Sequence, residues 1–168
     1  MTLEAKELVR EADAILGGVL RPGVHPRRST IARFESSGGL ERVLSLYLYA
    51  MRLDPEEPSY PWNLATSMAR LGHYHLALAF IEKAIAVANA TDDPEWADVY
   101  AHIAWAVVAM RAEQWQVALI ALATASRLAT DDETTRDVAR LKAKIAERSS
   151  RTPNGNAHLL NELASLIA

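Results

Sequence analysis

Two histidines, His73 and His75, flank Tyr74. On a loop, that spacing could turn two imidazoles toward one metal ion. A metal site needs more ligands than two, and no carboxylate cluster stands near them in the chain. Exposed turn histidines are expected there, and no metal. His102 sits mid-helix with no partner identifiable from sequence. The acidic clusters Asp92-Asp93 and Asp131-Asp132-Glu133 each precede an apolar-periodic stretch, where a carboxylate caps the free N–H groups of a helix start and meets the positive end of its dipole. The absence of cysteine excludes thiolate catalysis, disulfides and Cys-ligated zinc. There is no Gly-x-Ser-x-Gly elbow, no phosphate-cradling glycine loop and no His-Glu-x-x-His helix. No catalytic residue, cofactor or enzymatic activity is expected.

The densest basic cluster is Arg21, Arg27, Arg28 and Arg33. The net charge is nevertheless -3, the pI is near 6.0, and no aromatic ladder accompanies the arginines, so nucleic acid is not an expected partner. Met1 to Leu20 carries Glu4, Lys6, Glu7, Arg10, Glu11 and Asp13, which leaves no apolar core for a signal peptide. The longest apolar run, Ile103 to Met110, is too short to span a bilayer. A cytoplasmic protein without a membrane partner is expected.

Half of the residues are hydrophobic and about a fifth are alanine, a composition suited to helices packed at close range. Only two Phe are present, and β-branched residues dominate no window, so no strand is expected. Within this helical background a pattern nearly repeats every 34 residues. Tyr47, Ala50 and Leu53-Asp54-Pro55 mark one unit, and Leu64, Gly72, Tyr74, Ala77, Ile81 and Ala84 mark the next. From Pro58 as first position, Leu64-Ala65 and Met68 lie on a first helix, Gly72 at the turn, and Ala77, Ile81 and Ala84 on a second. One period earlier, Gly38 falls at the turn and Leu40 to Leu53 on the second helix, while the first helix, Ser29 to Ser36, is short. The third unit starts near Val99, displaced by an insertion at Ala90 to Glu95 that is expected to lengthen the loop. Asp93-Pro94 there reads as a helix start. Trp105, Trp115, Ala118, Leu122 and Ala125 take the repeated positions, with Glu113 in place of the turn glycine.

These residues resemble the tetratricopeptide repeat family. The resemblance implies an all-α fold, a right-handed superhelix of about three helical hairpins with an N-terminal helix, a capping helix and a short C-terminal helix. The expected layout is a helical domain over 1-148: an N-terminal helix over 1-21, repeats over 24-57, 58-98 and 99-132, and a capping helix over 133-148 whose stripe is Val138, Leu141 and Ile145. A linker over 149-157, with Pro153 and Asn154-Gly155, precedes a C-terminal helix over 158-168 that is too short to be stable undocked.

In the family, the first helix of each hairpin lines a concave groove. Carried onto this chain, the inward positions are Ser59, Trp62, Thr66, Ala69 and Arg70, then Tyr100, Ile103, Val107, Met110 and Arg111. The partner-binding groove is thus expected at Trp62, Thr66, Arg70, Tyr100, Ile103, Val107, Met110 and Arg111. Some family members grip a terminal carboxylate. Asn63 and Arg28 would suit that, but Tyr100 and Ala104 stand where basic residues are wanted, so an extended or helical apolar ligand is expected. The stretch from Glu95 to Arg111 is apolar almost all round, and a helix apolar on every side needs cover on every side. A partner segment, a second copy of the chain, or the C-terminal helix could supply it.

A narrower likeness covers Glu57-Pro58-Ser59-Tyr60-Pro61-Trp62-Asn63-Leu64-Ala65, followed by Gly72 and Ala77. This string is similar to the Pro-x-x-Pro-aromatic signature of class II type III secretion chaperones, which implies a bacterial translocator chaperone. The broader expectation is a non-enzymatic adaptor or chaperone-like scaffold that holds a protein or peptide segment, with homo-oligomerisation as the structural alternative.

Overall fold

The computed structural model describes residues 2–150. The C-terminal helix expected at 158-168, and all of the 149-157 linker after Ser150, lie outside the described residues. All regular structure among the described residues is helical: eight α-helices, one 3-10 turn and no strand. The all-α architecture of packed hairpins is therefore observed. The chain falls into two compact units, one ending at Trp96 and one beginning at Ala97, each described in turn.

The first unit holds α1 (Leu3–Gly17), α2 (Arg28–Ser36), α3 (Gly39–Leu53), α4 (Ser59–Leu71) and α5 (Tyr74–Thr91), closed by a 3-10 turn at Pro94–Trp96. Helix α1 starts on Thr2, whose Oγ1 accepts from the Ala5 N–H at 3.3 Å. Its buried residues, Ala5, Val9, Ala12 and Leu16, recur at three- and four-residue steps and form one stripe. That stripe packs antiparallel on α3, which buries Val43, Tyr47, Ala50 and Met51. The Tyr47 hydroxyl donates to Asp13 Oδ1 at 2.6 Å, and the Thr2 N–H donates to Asp54 Oδ2 at 2.8 Å, so the two ends of the pair are tied. Glu11 and Arg42 add an exposed ion pair.

This pairing corrects one expectation. The repeat pattern places Ser29 to Ser36 as the first helix of the hairpin that contains Leu40 to Leu53, yet α1 is the main partner of α3. The physical reason is area. Helix α2 has nine residues and buries only Phe34, whereas α1 presents a four-residue apolar stripe.

Helices α4 and α5 form a second hairpin. Leu64, Ala65 and Met68 on α4, and Ala77, Ile81 and Ala84 on α5, are all buried; the alanines let the backbones approach closely. Pro58, Tyr60 and Pro61 from the proline-aromatic string are buried as well. Gly72 ends α4 with φ +89°, and the next N–H, of His73, reaches back to the Met68 carbonyl at 2.9 Å. This loop requires a left-handed residue, which glycine adopts without steric cost.

The second unit holds α6 (Val99–Arg111), α7 (Trp115–Leu128) and α8 (Asp132–Ser150). Helices α6 and α7 pair closely, burying Ala101, His102, Ala106 and Ala109 on one and Ala118, Leu119, Ala121, Leu122 and Ala125 on the other. His102 finds its partner within the first turn, Nδ1–H donating to the Asp98 carbonyl at 2.8 Å. Helix α8 docks through Thr134, Val138, Leu141 and Ile145. Its start is held by Asp131, which accepts from the N–H groups of Glu133 at 2.9 Å and Thr134 at 2.8 Å and from the Thr134 hydroxyl at 2.9 Å. These bonds favour the charged carboxylate and hold its pKa below the ordinary value.

Two details at the insertion differ from expectation. Ala90 and Thr91 extend α5 rather than lengthening a loop, and the helix stops at Asp92 with φ +54°. Asp93-Pro94 begins only the 3-10 turn, Asp93 Oδ1 accepting from the Glu95 N–H at 3.1 Å. Helix α6 starts later, at Val99, because Asp98 offers the better cap: its Oδ1 accepts from the Ala101 N–H at 2.8 Å.

Glu113 occupies the turn between α6 and α7 with φ +60°, and the Gln114 N–H reaches the Ala109 carbonyl at 2.8 Å. That is the loop made at Gly72, built on a residue whose Cβ disfavours it. Glu113→Gly is therefore expected to stabilise the protein by roughly 0.5–1 kcal/mol, the relief of left-handed strain exceeding the added freedom of the unfolded chain. The Glu113–Arg148 pair that is lost is exposed and 3.7 Å long, so it offsets little. A thermal melt checks this, and a midpoint at or below that of the parent chain would contradict it.

Candidate functional site

The eight residues expected to line a groove divide between the two units. In the first, Trp62 is half-buried and meets Trp96 edge-on, ring centroids 5.7 Å apart at 68°. Thr66 is exposed, its hydroxyl donating to the Asn63 carbonyl at 2.9 Å. Arg70 is committed to the chain itself: its Nη2 donates to the carbonyls of Arg21 at 2.6 Å and Val24 at 3.5 Å, pinning the segment between α1 and α2. His73 lies in the same unit with Nε2 2.7 Å from Glu35 Oε1. Among the described residues, no group of three His, Cys, Asp or Glu side chains could hold a metal ion.

In the second unit, α6 leaves Tyr100 59% and Val107 39% exposed. Ile103 and Met110 are half-buried, and Arg111 is exposed. Val107, Met110 and Arg111 come together in a recess of about 650 Å³. Its apolar floor is completed by Trp115 at the start of α7 and Leu141 on α8. Its rim is formed by Arg140, Lys144, Glu147 and Arg148, all on α8. Tyr100 and Ile103 lie outside this lining.

The rim is dominated by cations. Arg148 stacks over Trp115, its guanidinium carbon 5.5 Å from the ring centroid, a cation–π placement that also covers the ring. Arg140 Nη2 lies 2.9 Å from Asp137 Oδ1, one helical turn away. Arg111 and Lys144 have no ion-pair partner among the described residues.

Sequence reasoning missed the α8 lining, and it gave Trp115 only a repeated position of the third unit. A signal existed: Arg140, Lys144 and Arg148 recur every four residues, which places them on one helical face. A second omission is Trp96, whose proximity to Trp62 depends on how the chain turns after α5.

No protein-family model matches the chain, and no curated protein is similar to it in sequence. Among solved structures it is similar to the N-terminal domain of stress-induced protein-1 (STI-1) from C. elegans. The match has a TM-score of 0.58 at 17% identity, covering 84% of this chain and 99% of that one. The likeness shows the fold, a tetratricopeptide-like helical arrangement. Among the described residues, no helix is long and apolar enough to cross a membrane.

Proposed function

We propose that this chain is a non-enzymatic interaction module that takes a segment of a protein partner on the open face of α6 in its second unit. The observation that carries this is Val107, which stays 39% exposed in the lining of the 650 Å³ recess, where Met110 and Trp115 add apolar surface. Apolar surface gathered in a concavity gains most when a ligand's side chains replace water there. The resemblance to tetratricopeptide proteins supports the same use of a first helix. Arg70, held by two backbone carbonyls, is assigned to structure rather than to ligand contact.

The test is capture from native lysate by the full chain and two variants. Val107→Asp places a charge on the recess wall and is expected to abolish capture while leaving the helical circular dichroism signal and cooperative melting in place. Ile120→Asp, on a more open part of α7 (59% exposed) and outside the recess lining, should capture as the parent does. Loss of fold in Val107→Asp would show that the residue belongs to the core, and equal loss in both variants would remove the recess from the account. Light scattering over a concentration series separates this function from self-association, which would appear as a mass that rises with concentration.

A further inference from the structure

We propose that the recess of the second unit selects an acidic amphipathic segment, apolar on one side and bearing carboxylates spaced along its length. This deepens the interaction-module function above and rests on it. Arg140, Lys144 and Arg148 stand at four-residue intervals on α8, and three such positions extend along about 12 Å of helix. Arg111 faces the same recess from α6. Four lining cations, two of them paired with Asp137 and Glu113 at exposed positions, against one lining carboxylate, Glu147, around an apolar floor of Val107, Met110, Trp115 and Leu141, form a surface complementary to negative charge beside apolar side chains.

The distribution of the cations matters as much as their number. Groups that grip one terminal carboxylate converge on a point, whereas these follow a helix face, so they fit several carboxylates along a segment. Arg111 and Lys144 have no ion-pair partner among the described residues. Arg140's pair with Asp137 is exposed on both sides, 65% and 41%, and such a pair exchanges readily for a ligand carboxylate. Arg148 over Trp115, both of them in the recess lining, sets an apolar and a cationic surface in one place. A nucleic acid is disfavoured by the single interrupted stripe and the chain's net charge of -3.

Three synthetic 14-residue peptides decide the matter, with leucines at identical helical spacing and Glu, Gln or Lys between them. Binding to the full chain is read by fluorescence anisotropy at 50 and 500 mM salt. The Glu peptide should bind about tenfold tighter than the Gln peptide at low salt and lose most of that advantage at high salt, and the Lys peptide should bind weakest. Lys144→Glu and Arg111→Glu, exposed changes on two different helices, should each cut the affinity for the Glu peptide about tenfold and cut that for the Gln peptide far less.

Equal affinity for the Glu and Gln peptides overturns the charge selection while the module function stands. Binding by none of the three removes the recess as a peptide site, and the function proposed for it falls too. Tighter binding of an oligothymidylate than of the Glu peptide assigns the rim to a nucleic acid and overturns the proposal. A dimer that Lys144→Glu dissociates does the same in favour of a second copy of the chain.

Discussion

Tyr47→Ala is expected to lower the unfolding free energy by about 3–5 kcal/mol, the range for removing a large buried aromatic side chain without full collapse of the site. Tyr47 is fully buried in α3, and its hydroxyl crosses to Asp13 on α1 at 2.6 Å. Tyr47→Phe separates the two contributions. It keeps the ring and loses only the hydrogen bond, at a cost of about 1 kcal/mol. Alkaline titration provides an independent check. Burial, and then the nearby Asp13 carboxylate, raise the hydroxyl's pKa above the ordinary 10.0, so the native state favours the neutral phenol. That contribution is complete below pH 10 and is lost progressively as the pH rises beyond it, because the unfolded chain ionises first. The Phe variant should lack this component of alkaline destabilisation. Denaturant melts at pH 7 and pH 11 measure both effects. A Tyr47→Ala variant as stable as the parent would mean that α1 does not dock on α3.

That pairing was the part of the fold least legible in the sequence, for a physical reason. A repeat period reports which residues of one helix share a face, and that is why Leu64, Ala65, Met68, Ala77, Ile81 and Ala84, all picked out by spacing, are buried. Period says nothing about which helix supplies the opposite face. Helix α3 lies just after α2 in sequence but buries its stripe mainly against α1, across the Gly18 to Arg27 segment, because α1 offers more apolar area. The turn at Glu113 teaches a related lesson. The repeat called for a left-handed residue there, and the backbone adopts φ +60° although the side chain opposes it, so the position was legible where the residue was not.

The candidate site divides in the same way. Val107, Met110 and Arg111 could be named from their places on a first helix. The cations of α8 read in sequence as the wet face of a capping helix, since solvation and ligand contact demand the same residue types. Only the proximity of α6 distinguishes the two roles, and proximity is a tertiary fact.

Gly39→Val is expected to destabilise the first unit by about 1–3 kcal/mol, the usual cost of forcing extra atoms into a packed site. A Cβ at Gly39 would clash with Phe34 Cε2 and lie 2.5 Å from its Cδ2. A flexible ring could swing away from those contacts, but the Cβ would also meet the Phe34 carbonyl oxygen at 2.9 Å, and that backbone atom moves only if α2 moves. Gly39 is therefore the residue that lets α2 turn tightly onto α3, with Phe34, the one buried side chain of α2, filling the space a Cβ would take. A double-mutant cycle tests this directly. Phe34→Ala removes the ring but not the carbonyl, so Gly39→Val should cost less in the Phe34→Ala background than in the parent, yet still more than zero. Contacting residues couple in this manner, whereas independent sites add. Strict additivity would show that the ring does not occupy the space above Gly39. A vanishing cost in the Phe34→Ala background would show that the ring alone imposed the glycine, and that the backbone of α2 is free to shift.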